Sequence, residues 1–166
     1  MKDHHNFYSQ NAEDILLRRC FFNVQNGFYI DVGAQHEEND SVTKHFYEQG
    51  WHGINIEPVS EYAATFETRA RDIIVCKAAG ASKQSLLMHI STDSGQSTFI
   101  ERNALHAKDQ GFSQEPRQIE VWPLNDILTE LGYSELAFEF LKVDTEGSEL
   151  EVFSGIDLHR YRPKII

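Results

Sequence analysis

Three acids stand where a short apolar run gives way to a turn: Asp31 in FYIDVGA, Glu57 in GINIEP and Asp144 in FLKVDTEG. A carboxylate in such a place can accept the paired hydroxyls of a ribose, hold a metal, take a proton or cap a helix. Gly33 follows Asp31 closely and, lacking a Cβ, lets the backbone approach a ligand. The loop that continues from it, GAQHEEND, has one glycine and then Glu37, Glu38 and Asp40. A dinucleotide needs a glycine-rich phosphate cradle instead. Two like charges ~4 Å apart cost on the order of 4 kcal/mol at an effective dielectric of 20, so pyrophosphate is disfavoured here. No G-x-x-x-x-G-K-[ST] loop occurs either. A cationic adenosine without phosphate escapes the penalty, and S-adenosylmethionine, with its sulfonium, is the ligand these residues predict. Glu146 shares the turn of Asp144, with Glu149 one helical turn further on. A carboxylate-metal hydrolase using those three acids is one alternative. His36, in the loop after Gly33, is either a catalytic base or a solvated turn residue.

Strand-end acids meet only if a parallel sheet brings the strands side by side. The continuous apolarity of residues 28–32 suggests a strand buried on both faces. Further strands are expected at 53–58, where Pro58 forbids continuation, at 72–81 and at 138–144. Between them the apolar spacing predicts helices. Residues 9–21 take Ser9 as cap, with Ile15, Leu16, Arg19 and Cys20 on one stripe. Residues 40–49 run from Asp40 as cap to Gly50 as stop. Residues 60–70 place Tyr62, Phe66 and Ala70 on one face. Two more helices follow, at 125–131 (Asn125 as cap, Gly132 ending it) and 147–153. This alternation is the pattern of right-handed βαβ units. Residues 85–92 and 117–124 read as extended segments around a polar stretch, an inserted hairpin or sheet extension. With no repeat or linker, one domain is expected over 1–166. RPKII at 162–166 begins a strand that should be poorly paired where it stands, which predicts that the natural protein continues past Ile166.

Fifteen Lys and Arg against 26 Asp and Glu leave a formal charge of −11, the wrong sign for a nucleic-acid partner. No stretch approaches the ~20 apolar residues of a membrane span. The start, MKDHHNFYSQ, lacks the apolar core of a secretory signal. Cys20 and Cys76 are expected to be buried thiols in a reducing cytoplasm. His4 and His5 read as a polar tail rather than a metal pair, and Phe46, Trp51, Phe66 and Trp122 as core or interface.

The blocks YSQNAED (8–14), FYIDVGA (28–34), DSVTKHFYEQGWHGINIEP (40–58) and FLKVDTEGSELEVFSG (140–155) together resemble an FkbM-type methyltransferase. STF at 97–99 and the closing RPKII match as well. The resemblance implies a Rossmann-like class I methyltransferase sheet in an α/β fold, with helices on both faces. It implies methyl transfer from S-adenosylmethionine, usually to a hydroxyl of a sugar or other secondary metabolite. Asp31, Gly33 and Ala34 would surround the methionine part, Glu57 and Pro58 would meet the ribose, and Lys77 to Ala79 (Ala78 and Ala79 above all) would lie near adenine. Asp144 would face the transferred methyl, and Gln10 and Asp14 would close the pocket. In-line attack by the acceptor hydroxyl then needs a base, for which His36, Asp144 and Glu146 are the candidates. The expected partners are a small-molecule or saccharide acceptor and a second copy of the chain. A non-catalytic binding or assembly module on the same fold is a further alternative. Two positions depart from the family pattern: Gln35 stands where members commonly carry Asn, and Ala12 where the N-terminal block usually has Gly.

Overall fold

The structure, a computed structural model, describes residues 6–91 and 95–166, so His4 and His5 lie outside the described residues. Its centre is a five-stranded parallel sheet. Phe28–Val32 (β1) lies between His52–Ile56 (β2) and Leu136–Val143 (β7), with Ile73–Val75 (β3) beyond β2 and Tyr161–Ile165 (β8) beyond β7. The order is therefore β3-β2-β1-β7-β8. The chain moves outward from β1 in one direction and later returns to fill the other side, so β1 and β7 flank the switch point where ligands bind in open α/β sheets. β8 pairs along its length with β7, from Leu136 opposite Tyr161 to Phe140 opposite Ile165. The closing segment is thus a well-paired strand, contrary to the expectation drawn from its position.

Alternate residues of the central strands serve opposite faces. Ile30, Val32, Ile54 and Ile56 pack with Leu124, Ile127 and Leu128 of the helix Leu124–Glu130 (α5) and with Val152 of Glu149–Ser154 (α6). Tyr29 and Phe140 face the other way, onto Phe21, Phe46 and Trp51, beside Glu13–Cys20 (α1) and Lys44–Glu48 (α2). Each such fully buried side chain contributes roughly 1.5–3 kcal/mol.

Local structure departs from the periodicity where a polar group goes inside. α1 starts at Glu13, not near Ser9, and its inner stripe is Asp14, Leu17 and Phe21, while Leu16 and Cys20 are exposed. Asp14, fully buried, accepts from the amides of Tyr8 (2.6 Å), Ser9 (3.1 Å) and Ile15 (2.8 Å) and from Ser9 Oγ (2.7 Å). The expected 60–70 helix keeps only Ser60–Ala63 (α3) before tightening into a 3₁₀ stretch, Ala64–Thr68. Arg69 then turns inward to bond Thr43 Oγ1 (2.8 Å) and Ser41 Oγ (2.9 Å), which leaves Ala70 outside. Asp40 and Asn125 are not caps; α2 follows Thr43 and α5 follows Pro123. Asn125 Oδ1 instead accepts from the Asp157 amide (2.8 Å).

The expected third strand is two: after β3 the chain leaves for a second sheet at Ala78–Ala79 (β4). Cys76 falls in that break and is exposed, like Cys20, so neither is the buried thiol anticipated. In the second sheet Glu115–Trp122 (β6) lies between β4 and Gln84–Ile90 (β5), antiparallel to β5. The polar stretch between them holds a helix, Glu101–Asp109 (α4), whose buried residues are two alanines, Ala104 and Ala107. Too little apolar surface is involved to make a periodic signal. Trp122 is only half buried, with the Lys83 and Lys77 ammonium groups 3.7 and 4.3 Å from its ring centre. Among the described residues, no helix is long and apolar enough to cross a membrane.

Ala12, the residue before α1, has φ 66°. A left-handed backbone costs an L-residue about 1–2 kcal/mol, and glycine escapes most of that. Ala12→Gly is expected to raise the melting temperature by roughly 1–4 °C, for a net gain of about 0.5–1 kcal/mol. An unchanged or lower midpoint in a calorimetric scan would count against this backbone conformation.

Candidate functional site

A cavity of about 1180 Å³ opens along the carboxyl ends of β1, β2 and β7. Its floor depends on one close approach. Gly33, at φ +76°, passes so near the Asp144 carbonyl that any Cβ would overlap it. Two backbone hydrogen bonds fix the crossing, Asp144 N–H to Val32 O (3.0 Å) and Gly33 N–H to Ile56 O (2.9 Å). The strand ends of β1, β2 and β7 are thereby stitched together under the cavity.

Of the expected site residues, Gln10, Gly33, Ala34, Glu57, Pro58, Ala78, Ala79, Asp144 and Glu146 line the cavity. Glu57 is 5% exposed. Its Oε2 accepts from the Gln35 amide and its Oε1 from the Val59 amide, both at 2.8 Å. Each oxygen keeps a second lone pair. Burial pushes this carboxyl up to about 7, against the pull of those two amides. Asp144 is much more open, its side chain 64% exposed. Glu146, held at φ 52°, is raised by burial and then by Asp144 and Glu149. Its carbonyl is pinned from α4's side by Thr98 Oγ1 (2.9 Å) and Asn103 Nδ2 (3.1 Å).

Asp31 and His36 are not among the lining residues. Asp31 is 1% exposed and sits beneath the floor. His36 Nδ1 accepts from the amides of Glu38 (3.0 Å) and Asn39 (3.1 Å), so it braces its own loop and has no free lone pair there for a base. Glu37 also turns away, paired with Lys44 (2.7 Å) and Arg69 (3.4 Å). Among the described residues, Glu13, Asp40, Glu57, Asp144 and Glu146 line the cavity against one cation, Lys142. Glu149 is a cap, its Oε1 accepting from the amides of Thr145 (2.9 Å) and Gly147 (3.1 Å), which draw it below the usual carboxylate range despite partial burial. That engagement takes one of the three carboxylates from the hydrolase alternative.

Sequence reasoning missed Lys142 altogether. Strand register sets it beside Asp31, 111 residues away, with Asn55 on the other flank. Lys142 Nζ donates to Gly33 O (2.6 Å) and lies 3.1 Å from Asp31 Oδ1, off the axis of a hydrogen bond. Burial opposes its charge, but Asp31 and Asp144 prevail and hold the ammonium above the usual lysine value; burial likewise pushes Asp31 up, with Lys142 resisting. Also missed was the apolar wall of Tyr62 from α3, Met88 from β5 and Phe99 from the segment before α4. Its hints were scattered: Tyr62 on the face of the expected 60–70 helix, the apolar run 86–88 and STF at 97–99.

A parallel sheet in this order, with a switch-point cavity floored by the β1–β7 crossing, defines a Rossmann-like fold of the methyltransferase type. The chain belongs to the FkbM methyltransferase domain family, whose model matches residues 31–166. It is similar in fold to the crystal structure of methyltransferase FkbM from Methylobacillus flagellatus KT, with a TM-score of 0.52 and 19% identity over 85% of this chain and 32% of that one. The chain thus spans about a third of that protein's length. No curated protein matches it.

Proposed function

We propose that this chain binds S-adenosylmethionine and directs its methyl to a hydroxyl of a small-molecule or saccharide acceptor. The observation that carries the reading is Glu57: a buried carboxylate at the end of β2, with free lone pairs, on the wall of a cavity large enough for a nucleoside. Among the described lining residues, five acids against one lysine suit a cationic ligand, and Ala78, Ala79, Tyr62, Met88 and Phe99 offer an apolar slot for a base. When bound, the donor supplies a methyl already activated on a positive sulfur. The protein's part is then alignment, worth ~7–11 kcal/mol for well-oriented groups, and removal of the acceptor proton, worth ~10²–10⁴-fold. Asp144 and Glu146 are the bases of choice. Burial brings Glu146 closer to neutrality, where a base works best. A smaller recess of about 280 Å³ adjoins the cavity through Gln96 and Glu146, and Asn103, His106 and Gln110 give it the amide and imidazole groups that hydroxyls favour. Two surface thiols fit a reducing cytoplasm.

Calorimetry with S-adenosylhomocysteine tests the reading. Glu57→Gln is expected to weaken binding roughly 10–100-fold, the range for a charged hydrogen-bonding group. Glu57, at about 7, must ionise to accept the diol well. Wild-type affinity should therefore rise about tenfold between pH 6 and pH 8 as the ionised fraction climbs, and Glu57→Gln should abolish that rise. Equal affinity of the two proteins at pH 8 would end the ribose assignment.

A further inference from the structure

We infer that Lys142 forms a carboxylate-binding subsite, which takes the α-carboxylate at the amino-acid end of the donor; the inference rests on the donor reading above. Lys142 is the one cation among the described residues lining the cavity, and its side chain is 20% exposed there. An ammonium carries three protons. Gly33 O takes one at 2.6 Å, while Asp31 Oδ1 is off-axis at 3.1 Å and Asp144 Oδ2 is out of hydrogen-bond range at 3.9 Å. At least one proton remains for a ligand. Charge placement favours a zwitterion at this end: Asp144 and Glu146 can face an α-ammonium while Lys142 faces the carboxylate beside it. The strand order suits the length of the ligand as well. Glu57 ends β2 and Lys142 belongs to β7, with β1 between them, so the two groups lie two strand spacings apart, about 10 Å. Gly33, just past the end of β1 and itself lining the cavity, lies between them.

The test compares S-adenosylhomocysteine with its decarboxylated analogue, which keeps the amine and loses only the carboxylate. Wild type is expected to prefer the carboxylated ligand about tenfold or more. Because Lys142→Met alone strands Asp31, the comparison is also run in an Asp31→Asn background, with and without Lys142→Met. Loss of Lys142 should erase the preference and leave affinity for the decarboxylated analogue within about twofold, whereas Lys142→Arg should retain most of it. A preference that survives Lys142→Met, or equal weakening of both ligands, overturns the subsite while leaving the donor reading intact. A wild-type chain that binds neither ligand overturns the donor reading, and the subsite with it.

Discussion

Lys142→Met is expected to destabilise the protein by about 3–5 kcal/mol, the cost of leaving a buried charge without its partner. Asp31 is 1% exposed, and Lys142, 3.1 Å away, is the nearest cation. The loss should depend on pH. Burial already raises the Asp31 carboxyl, and Lys142 resists that rise. Without the lysine the folded-state value climbs further above the unfolded one. A carboxyl raised in this way contributes stability that is whole below its unfolded value and lost as pH rises through the folded one. The gap between variant and wild type should accordingly be wider at pH 8 than at pH 5. Glu57 is also raised by burial and also held down by Lys142, so its shift on losing the lysine widens the gap in the same direction. Adding Asp31→Asn should recover most of the lost stability, because the stranded charge is gone. Denaturant melts of the three proteins at both pH values decide the matter, and a double variant as unstable as the single one would show that the pair does not act as a unit.

Gly33→Ala is expected to cost about 2–5 kcal/mol, from 1–2 for a left-handed alanine and 1–3 for overpacking, a fall of roughly 4–20 °C in melting temperature. The new methyl meets the Asp144 carbonyl, a backbone atom that cannot rotate aside. Relief requires β1 and β7 to part at their carboxyl ends, which breaks the Asp144 N–H to Val32 O bond and opens the cavity floor. Binding of S-adenosylhomocysteine should weaken together with stability. Gly50→Ala is a useful contrast: its φ is +92° but nothing lies within 4 Å of a Cβ, so only the backbone strain remains. Equal losses in the two variants would mean that the crossing at Gly33 is not tight.

How legible the site was depended on the distance over which each residue acts. Gly33 announced itself as a glycine after a strand, yet its reason is a carbonyl 111 residues further on. Glu57 was legible because GINIEP ends a strand on an acid and Pro58 forbids extension. Lys142 was not, since a lysine inside FLKVD looks like any exposed strand residue until register sets it against Asp31. His36 and Glu37 misled for the opposite reason. Their local setting resembled a ligand loop, but the first braces that loop and the second pairs with Lys44 and Arg69. Helix α4 escaped notice because two buried alanines make no stripe.

Apolar runs bounded by glycine, proline and acids determined by themselves that this chain builds parallel strands with acids at their ends, since strand burial and turn chemistry are properties of short segments. Only the tertiary structure decided which of those acids reach the cavity. The charge partner and exposure of Asp31 and Lys142 are set by strand register and the packing around them, and the two residues that register brings together stand 111 positions apart in the chain.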